Sequence, residues 1–343
     1  MREPALTNRE SLILKSLVMT FVESAAPVSS RYLSKVHNNR LSAATIRNVM
    51  MDLEDKFLVA QPHTSAGRIP TDLGYRYYVD DLMMIESLSH DEKQKIDHGL
   101  HNVNNEDVEA ILEKSCEVLS KISNQLGIIL TPKFYQGKFK KLELISLSET
   151  KLLVIISISS GLVKTVMLEI NSKIPRNKLE QTSQVLNERL SGLSLRQIRD
   201  SIKNRMKDVS YGDEELIFQL TESADKIFSI QNDHLHFKGA QNILSQPEFS
   251  DQERIKKILE LIDNQKVLIH IINNTTSTDE KISITIGNEN KEQIVNKCSL
   301  VTASYKIGGV TSTLGIIGPT RMKYEKVTSL VDYLSKTLGR LFS

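Results

Sequence analysis

Residues 28–80 read VSSRYLSKVHNNRLSAATIRNVMMDLEDKFLVAQPHTSAGRIPTDLGYRYYVD, and no other stretch constrains the chain as strongly. Two short helical patterns joined by a polar turn are followed by strand-like runs around a basic, glycine-containing tip. That order predicts a winged helix-turn-helix, which places one helix in a DNA groove and a loop beside it. Leu12, Ile13, Leu17, Phe21 and Val22 recur at spacings near three and four across residues 8–24, predicting a helix with one apolar face that Pro27 ends. Ser29 or Ser30 caps a second helix carrying Tyr32, Leu33 and Val36. The run His37-Asn38-Asn39-Arg40 is the turn, and Ser42 caps a third helix over residues 43–56.

The third helix has two faces. Ile46, Val49, Met50 and Leu53 follow the i, i+3, i+4, i+7 rule and face a core. Ala44, Arg47, Asn48 and Met51 fall on or near the opposite face, with Thr45 at its flank. Small residues at a helix start admit close approach to DNA. Arg pairs bidentately with guanine, and Asn with adenine, in the major groove. Exposed polar helix residues are ordinarily just solvated; the flanking turn and hairpin are what give Arg47 and Asn48 a further role. Residues 24–51 contain Arg31, Lys35, Arg40 and Arg47 and no acidic residue, whereas the whole chain carries only +2. Phosphate neutralisation needs such a local footprint.

Leu58-Val59-Ala60-Gln61 reads as a strand, and Pro62 to Pro70 as a turn-rich excursion with His63, Thr64, Ser65, Gly67 and Arg68. Gly67 is expected to supply a positive φ at the tip, and the hydroxyls and Arg68 to reach phosphates or the minor groove. Thr71 or Asp72 caps a helix whose Tyr75 and Tyr78 are read as packing residues rather than base-stacking platforms.

The runs LSAATIRNVMMDLE, QPHTSAGRIPTDLGYRYYVD, ITIGNEN and GIIGPTRMKY resemble the HrcA family of heat-inducible transcription repressors, as do LNERLSGLSLRQIRD and ILSQPEFSD between them. The likeness covers nearly the whole chain in order. It departs at Val49, where family members usually have glutamate, and at Phe57, where a glycine often follows the recognition helix. The resemblance implies a homodimer on double-stranded DNA, at an inverted repeat called CIRCE upstream of chaperone operons such as groE and dnaK. It also implies the chaperonin GroEL as activity modulator. The implied α+β fold is a winged-helix domain (1–88), a GAF-like α/β domain (89–171 and 248–343) and a helical dimerisation domain (172–247) inserted into it.

The residues agree with much of this. A chain of 343 residues is long enough for two or three domains, and 40% hydrophobic with 25% charged residues is a globular composition. No apolar run approaches the ~20 residues of a membrane helix, and no signal-peptide core opens the chain, so a cytoplasmic protein is expected. Cys116 and Cys298 read as buried free thiols. Polar residues 86–107 read as a partly helical linker, and 108–126 as an amphipathic helix. GIILTPKF, LELISLSE, LLVIISIS and LVKTVMLEI are strand-like; residues 177–206 and 211–232 are helical; a pair of short turns spans 234–244; and 251–264 is helical. Strands resume at VLIHII, ISITIG, CSLVTASY and GIIG before a helix from Tyr324 to Leu341. On this pattern a sheet begun at 127–170 is completed only after 266. The helices between are then an insertion whose apolar faces need a partner, most simply a second copy, the plainer alternative being that they pack on the chain's own sheet.

Catalytic chemistry is not expected. The chain has no G-x-x-x-x-G-K-[ST] loop, no H-E-x-x-H pair and no G-x-S-x-G elbow. His234 and His236 share a face if they lie on a strand, but two ligands make a weak metal site and surface histidines are the simpler reading. Neither cofactor nor metal is expected. The glycines from Gly308 and Gly309 to Gly318 are read as turn and packing residues, and Arg321 as a structural salt bridge or an interdomain or DNA-facing contact. A second function remains open: a small-molecule sensor whose GAF-like sheet holds an effector, with Asn288, Glu289 and Asn290 as its only visible polar set.

Overall fold

The structure, a computed structural model, describes residues 5–64, 66–101, 108–132, 137–159, 161, 163–228, 234–275, 282–307 and 310–342. It is an α+β protein. A head of three helices and a hairpin comes first: α1 (Asn8–Ser24), α2 (Ser30–Val36), α3 (Ala43–Asp55), β1 (Val59–Ala60) and β2 (Ile69–Pro70). α4 (Asp72–Tyr77) follows and runs into a π turn over Tyr78–Leu82. Thr7, Ser29, Ser42 and Thr71 accept the orphan N–H groups at the helix starts, and Glu10 returns a bond to complete the box on α1. The expected apolar stripes meet in part: Ile13, Leu17, Leu33, Ile46, Leu53 and Leu58 are fully buried together, joined by Leu14, whereas Leu12, Tyr32 and Val36, expected on the apolar faces, are exposed. α1 stops at Ser24, where Ala25 turns left-handed at φ 52°, two residues before Pro27.

The body begins with α5 (His90–His101), α6 (Val108–Ser123) and β3 (Leu126–Leu130). Then come β4 (Phe139–Ser146), β5 (Lys151–Ile158), β6 (Val163–Glu169), α7 (Arg176–Leu190), α8 (Leu195–Arg205), α9 (Glu214–Glu222) and α10 (Ala224–Ile227). The chain returns through β7 (Leu235–Lys238), α11 (Ala240–Leu244), α12 (Gln252–Asp263) and α13 (Gln265–Thr275). It ends with β8 (Ile282–Ile286), β9 (Cys298–Ile307), β10 (Val310–Pro319) and α14 (Tyr324–Leu341). An antiparallel five-stranded sheet has the order β7-β3-β10-β9-β8. Its two faces are both covered. Ile129, Val301, Ala303, Leu314 and Ile316 pack in one core with α5, α6 and α14. Ile128, Leu130, Leu300 and Ile317 pack in a second with α11, α12 and α13. Double coverage explains why β3, β9 and β10 are buried almost without alternation.

Four expectations change here. The runs over 127–170 do not share one sheet: β3 joins the five-stranded sheet, while β4, β5 and β6 form a separate meander. The meander packs one face on α7 to α10 and ties its edge through Asn187, whose side chain bonds the Leu142 N–H at 2.7 Å and carbonyl at 3.0 Å. Strand partners are non-local, so consecutive strand-like runs do not reveal a change of sheet. Second, β7 lies inside the helical block expected at 172–247, yet it pairs with β3. Third, VLIHII is helical, within α13; Leu268, Ile271 and Ile272 sit at i, i+3 and i+4 on the second core. A short apolar run fits a buried helix as well as a strand. Fourth, residues 86–107 are no mere linker, because Ile96 and Leu100 of α5 are buried in the main core; 102–107 and the pair Gly308-Gly309 lie outside the described residues. Cys116 and Cys298 are buried as expected, and burial pushes both thiols up to about 12. No described helix is long and apolar enough to cross a membrane.

The excursion from β3 to β7 has closed ends, since the Thr131 N–H donates to the His234 carbonyl at 2.9 Å. A chain with residues 132–233 replaced by a short Gly/Ser bridge is therefore expected to keep a cooperatively unfolding head and body in urea. Replacing 172–247 instead removes β7 and strips the meander of its helices, and aggregation is the expected result. Equal behaviour of the two deletions contradicts the topology.

Candidate nucleic-acid interface

The turn before α3 is built tightly. Asn38 and Asn39 adopt φ 51° and 58°, a left-handed conformation that Asn tolerates better than most residues. The buried Ser34 hydroxyl donates to the Leu41 carbonyl at 2.8 Å, and Ser16 Oγ lies 2.9 Å from His37 Nε2. α3 thus leaves the turn in a fixed direction. Ile46, Val49, Met50 and Leu53 are buried, while Ala44, Arg47, Asn48 and Met51 are exposed along one side. Thr45 is half-buried, with its hydroxyl 2.9 Å from that of the capping Ser42. Arg31 and Lys35 on α2 and Arg40 in the turn are exposed as well. Among the described residues, neither they nor Arg47 have an acidic partner within ion-pair distance.

The hairpin beside α3 is braced from inside. Val28 and Arg68 exchange both backbone hydrogen bonds at 2.9 Å, adding a third extended segment. Gln61 Nε2 donates to the carbonyls of Thr64 at 2.9 Å and Ala66 at 3.1 Å, fixing the tip where His63 and Thr64 are exposed. Ser65 lies outside the described residues. Two expectations shift. Gly67 is not left-handed; a Cβ there would lie 2.3 Å from the Val28 carbonyl oxygen, so the residue is required for close approach. Arg68 does not project from the tip. Its guanidinium pairs with Glu54 of α3 at 2.7 Å and its side chain is 15% exposed, so it clamps the hairpin to the helix.

The head is also held to the body, through Arg321, which the sequence offered as an interdomain contact or salt bridge, and through Asp72, Arg76, Asn288 and Glu289, which it did not single out for this. Asp72 Oδ2 accepts from the Asn288 backbone N–H at 2.9 Å and side-chain amide at 2.8 Å. Arg76 donates to Glu289 at 2.8 Å and to the Ile284 carbonyl at 2.7 Å. Gly287 sits at φ 54°, where a Cβ would strike the Asp72 carboxylate at 2.3 Å. Arg321 pairs with Glu248 and donates to the Val22 carbonyl of α1 at 2.7 Å, so it is an interdomain contact and a salt bridge together. The Tyr78 hydroxyl bonds Glu325, and Tyr75 stacks obliquely on Tyr324 with ring centroids 6.0 Å apart. The polar set Asn288, Glu289 and Asn290 is consequently occupied. The first two hold the head, and the Asn290 amide donates to the carbonyls of Gly287, Val295 and Cys298.

The strings that form this joint, ITIGNEN and GPTRM, lie in the part of the chain that a family model matches. The model of the HrcA protein C terminal domain covers residues 109–328. The heat-inducible transcription repressor HrcA of Prosthecochloris aestuarii is 39% identical over 348 residues, spanning 98% of this chain and 98% of its own length. The chain belongs to the HrcA family. The repressor of the same name from Halalkalibacterium halodurans is 38% identical, again over 98% of each chain. A crystal structure described only as that of a hypothetical protein shares the fold, with a TM-score of 0.63, 24% identity and 98% of this chain covered against 99% of that one.

In this HrcA-family chain Phe57 follows α3 at φ 59° with 76% of its surface exposed. The Phe57 N–H donates to Glu54 and the Leu58 N–H to Leu53, which is the double bond pattern of a Schellman ending, where glycine is the usual residue. A left-handed non-glycine residue costs about 1–2 kcal/mol, partly offset by the greater chain entropy glycine loses on folding. Phe57→Gly is expected to raise stability by about 0.5–1 kcal/mol in urea titrations. A fall in stability contradicts the strain at this position.

Proposed function

We propose that the chain is a dimeric, sequence-specific repressor of chaperone operons of the groE and dnaK type, acting at an inverted repeat of the CIRCE kind. The observation that carries the reading is the exposed side of α3, with Ala44, Arg47 and Asn48 in line. It is flanked by Arg31, Lys35 and Arg40, which have no acidic partners among the described residues. In this reading the head is a winged helix-turn-helix and α3 is its recognition helix. Arg47 and Asn48 read bases, with Ala44 and Thr45 lining the approach. Ser42, His63, Thr64 and the three flanking cations sit on the phosphates. Arg68 keeps a place in the site as a brace rather than a phosphate ligand.

The body, with its five-stranded sheet, serves as the GAF-like domain. The inserted dimerising unit is better drawn from Thr131 to His234 than over 172–247, because the meander travels with the helices. Its outward face supports self-association: Ile145, Val163 and Met167 are 43%, 59% and 50% exposed on one side of the sheet. Two-fold symmetry in the protein then matches two-fold symmetry in the operator. The chaperonin GroEL is the modulator in this reading, the protein is cytoplasmic and associated with the nucleoid, and no catalysis is assigned. The effector-sensing reading rests on residues that already hold the head or their own loop.

Arg47→Ala and Asn48→Ala are each expected to weaken operator binding by about 1–3 kcal/mol and random DNA much less. Equal losses on both DNAs would demote the pair to phosphate contacts. Replacing Arg31, Lys35 and Arg40 by Ala should flatten the plot of log K against log salt by about 0.9 for each contact, while Arg68→Ala leaves the slope unchanged. The chain lacking 132–233 is expected to sediment as a monomer and to bind a full operator little better than a half-site. A dimer from that deletion places the interface elsewhere.

A further inference from the structure

We propose that Glu109, His234 and His236 form a binding site for a divalent metal ion of the zinc class, at the neck of the inserted unit. The sequence offers only two alternating histidines. The fold adds the third ligand, because β7 lies along β3 and α6 crosses the same edge. One ligand atom from each side chain falls within a set spanning no more than 4.8 Å. His236 Nε2 lies 2.9 Å from Glu109 Oε2 and 3.2 Å from the Thr131 hydroxyl, and His234 Nδ1 lies 4.0 Å from the same carboxylate oxygen. The two imidazole rings meet edge to face, with centroids 4.8 Å apart. Bonds of about 2.0–2.2 Å to a tetrahedral ion place ligand atoms roughly 3.4 Å from one another. Small rotations of the exposed His234 and Glu109 side chains reach that spacing, while His236, 10% exposed, is already fixed by its neighbours.

The donor set selects the ion. Two imidazole nitrogens and one carboxylate suit zinc, cobalt or nickel and do not suit magnesium or calcium, which take oxygen ligands. Three protein ligands leave a fourth position for water. The nearby cation Lys238 is paired with Glu113 at 2.6 Å, so it does not take the centre of the cluster. Placement supplies the consequence. Thr131 and His234 are where the chain leaves and re-enters the five-stranded sheet. A metal held by α6 and by both histidines fixes the start of β7 to α6 where the chain returns from the inserted unit.

The test uses metal-stripped full-length protein titrated with zinc sulfate by calorimetry, with cobalt(II) as a spectroscopic substitute. One equivalent per chain, a visible d–d band of a four-coordinate cobalt ion and a raised Tm are expected. His234→Ala and Glu109→Gln alter exposed side chains, keep the fold by circular dichroism, and should each weaken the affinity by more than about tenfold, since even outer-shell changes at metal sites cost 10–100-fold. His98→Ala, an exposed histidine elsewhere, should change nothing. Absence of binding to the wild-type chain, unchanged affinity in both ligand variants, or an equal loss in His98→Ala would overturn the site.

Discussion

The arrangement of the molecule depends on one guanidinium. Arg76 sits on α4 and donates at once to the Glu289 carboxylate and to the Ile284 carbonyl at the edge of the five-stranded sheet. A two-pronged bond of this kind fixes orientation as well as distance. Asp72, one turn earlier, accepts two bonds from Asn288, and the left-handed Gly287 lets the loop come close enough to make them. The fixed orientation is handed on by contact. α4 presses Gly74 against the Leu58 carbonyl, where a Cβ would lie 1.9 Å away. Leu58 closes the end of α3. The body therefore sets the direction of α3 through two short steps, and Arg321 fastens the far end of α1.

Under the proposed function, in which the chain meets DNA as a two-fold dimer, such a joint matters. Two recognition helices engage two half-sites only if each head is held at a defined position in its own subunit. Tethering then makes the second contact intramolecular, which adds roughly 10²–10⁴ in avidity. A rigid body with an inserted unit at its edge meets that requirement better than a flexible string of domains.

The head was legible in the sequence because its determinants are local. Ser29, Ser42 and Thr71 announce helix starts, and Ile46, Val49, Met50 and Leu53 announce a buried face; the structure keeps all of them. α14 spans Tyr324–Leu341 as its periodicity required. What escaped was non-local. Nothing near GIILTP says that it pairs with residues 235–238 and 314–317 rather than with the strands that follow it. VLIHII carries the same residues whether strand or helix, and the α12 surface beside it decides. In the site, the exposure of Arg47 and Asn48 follows from helical spacing alone. The inward turn of Arg68 and the close approach at Gly67 depend on Glu54 and Val28, the latter far back in the chain before α2. The loop ITIGNEN stood out by resemblance and as a polar set for an effector, and its work is done on α4, more than two hundred residues earlier.

In the proposed function α3 and the braced hairpin, carried by a two-fold dimer, read an inverted repeat. Hydroxyl-radical footprinting of the purified protein on the promoters of its own chaperone operons tests it most directly. The account predicts two protected patches related by a dyad, each with major-groove contacts flanked by backbone protection. Unprotected promoters, or a single patch without symmetry, would contradict it.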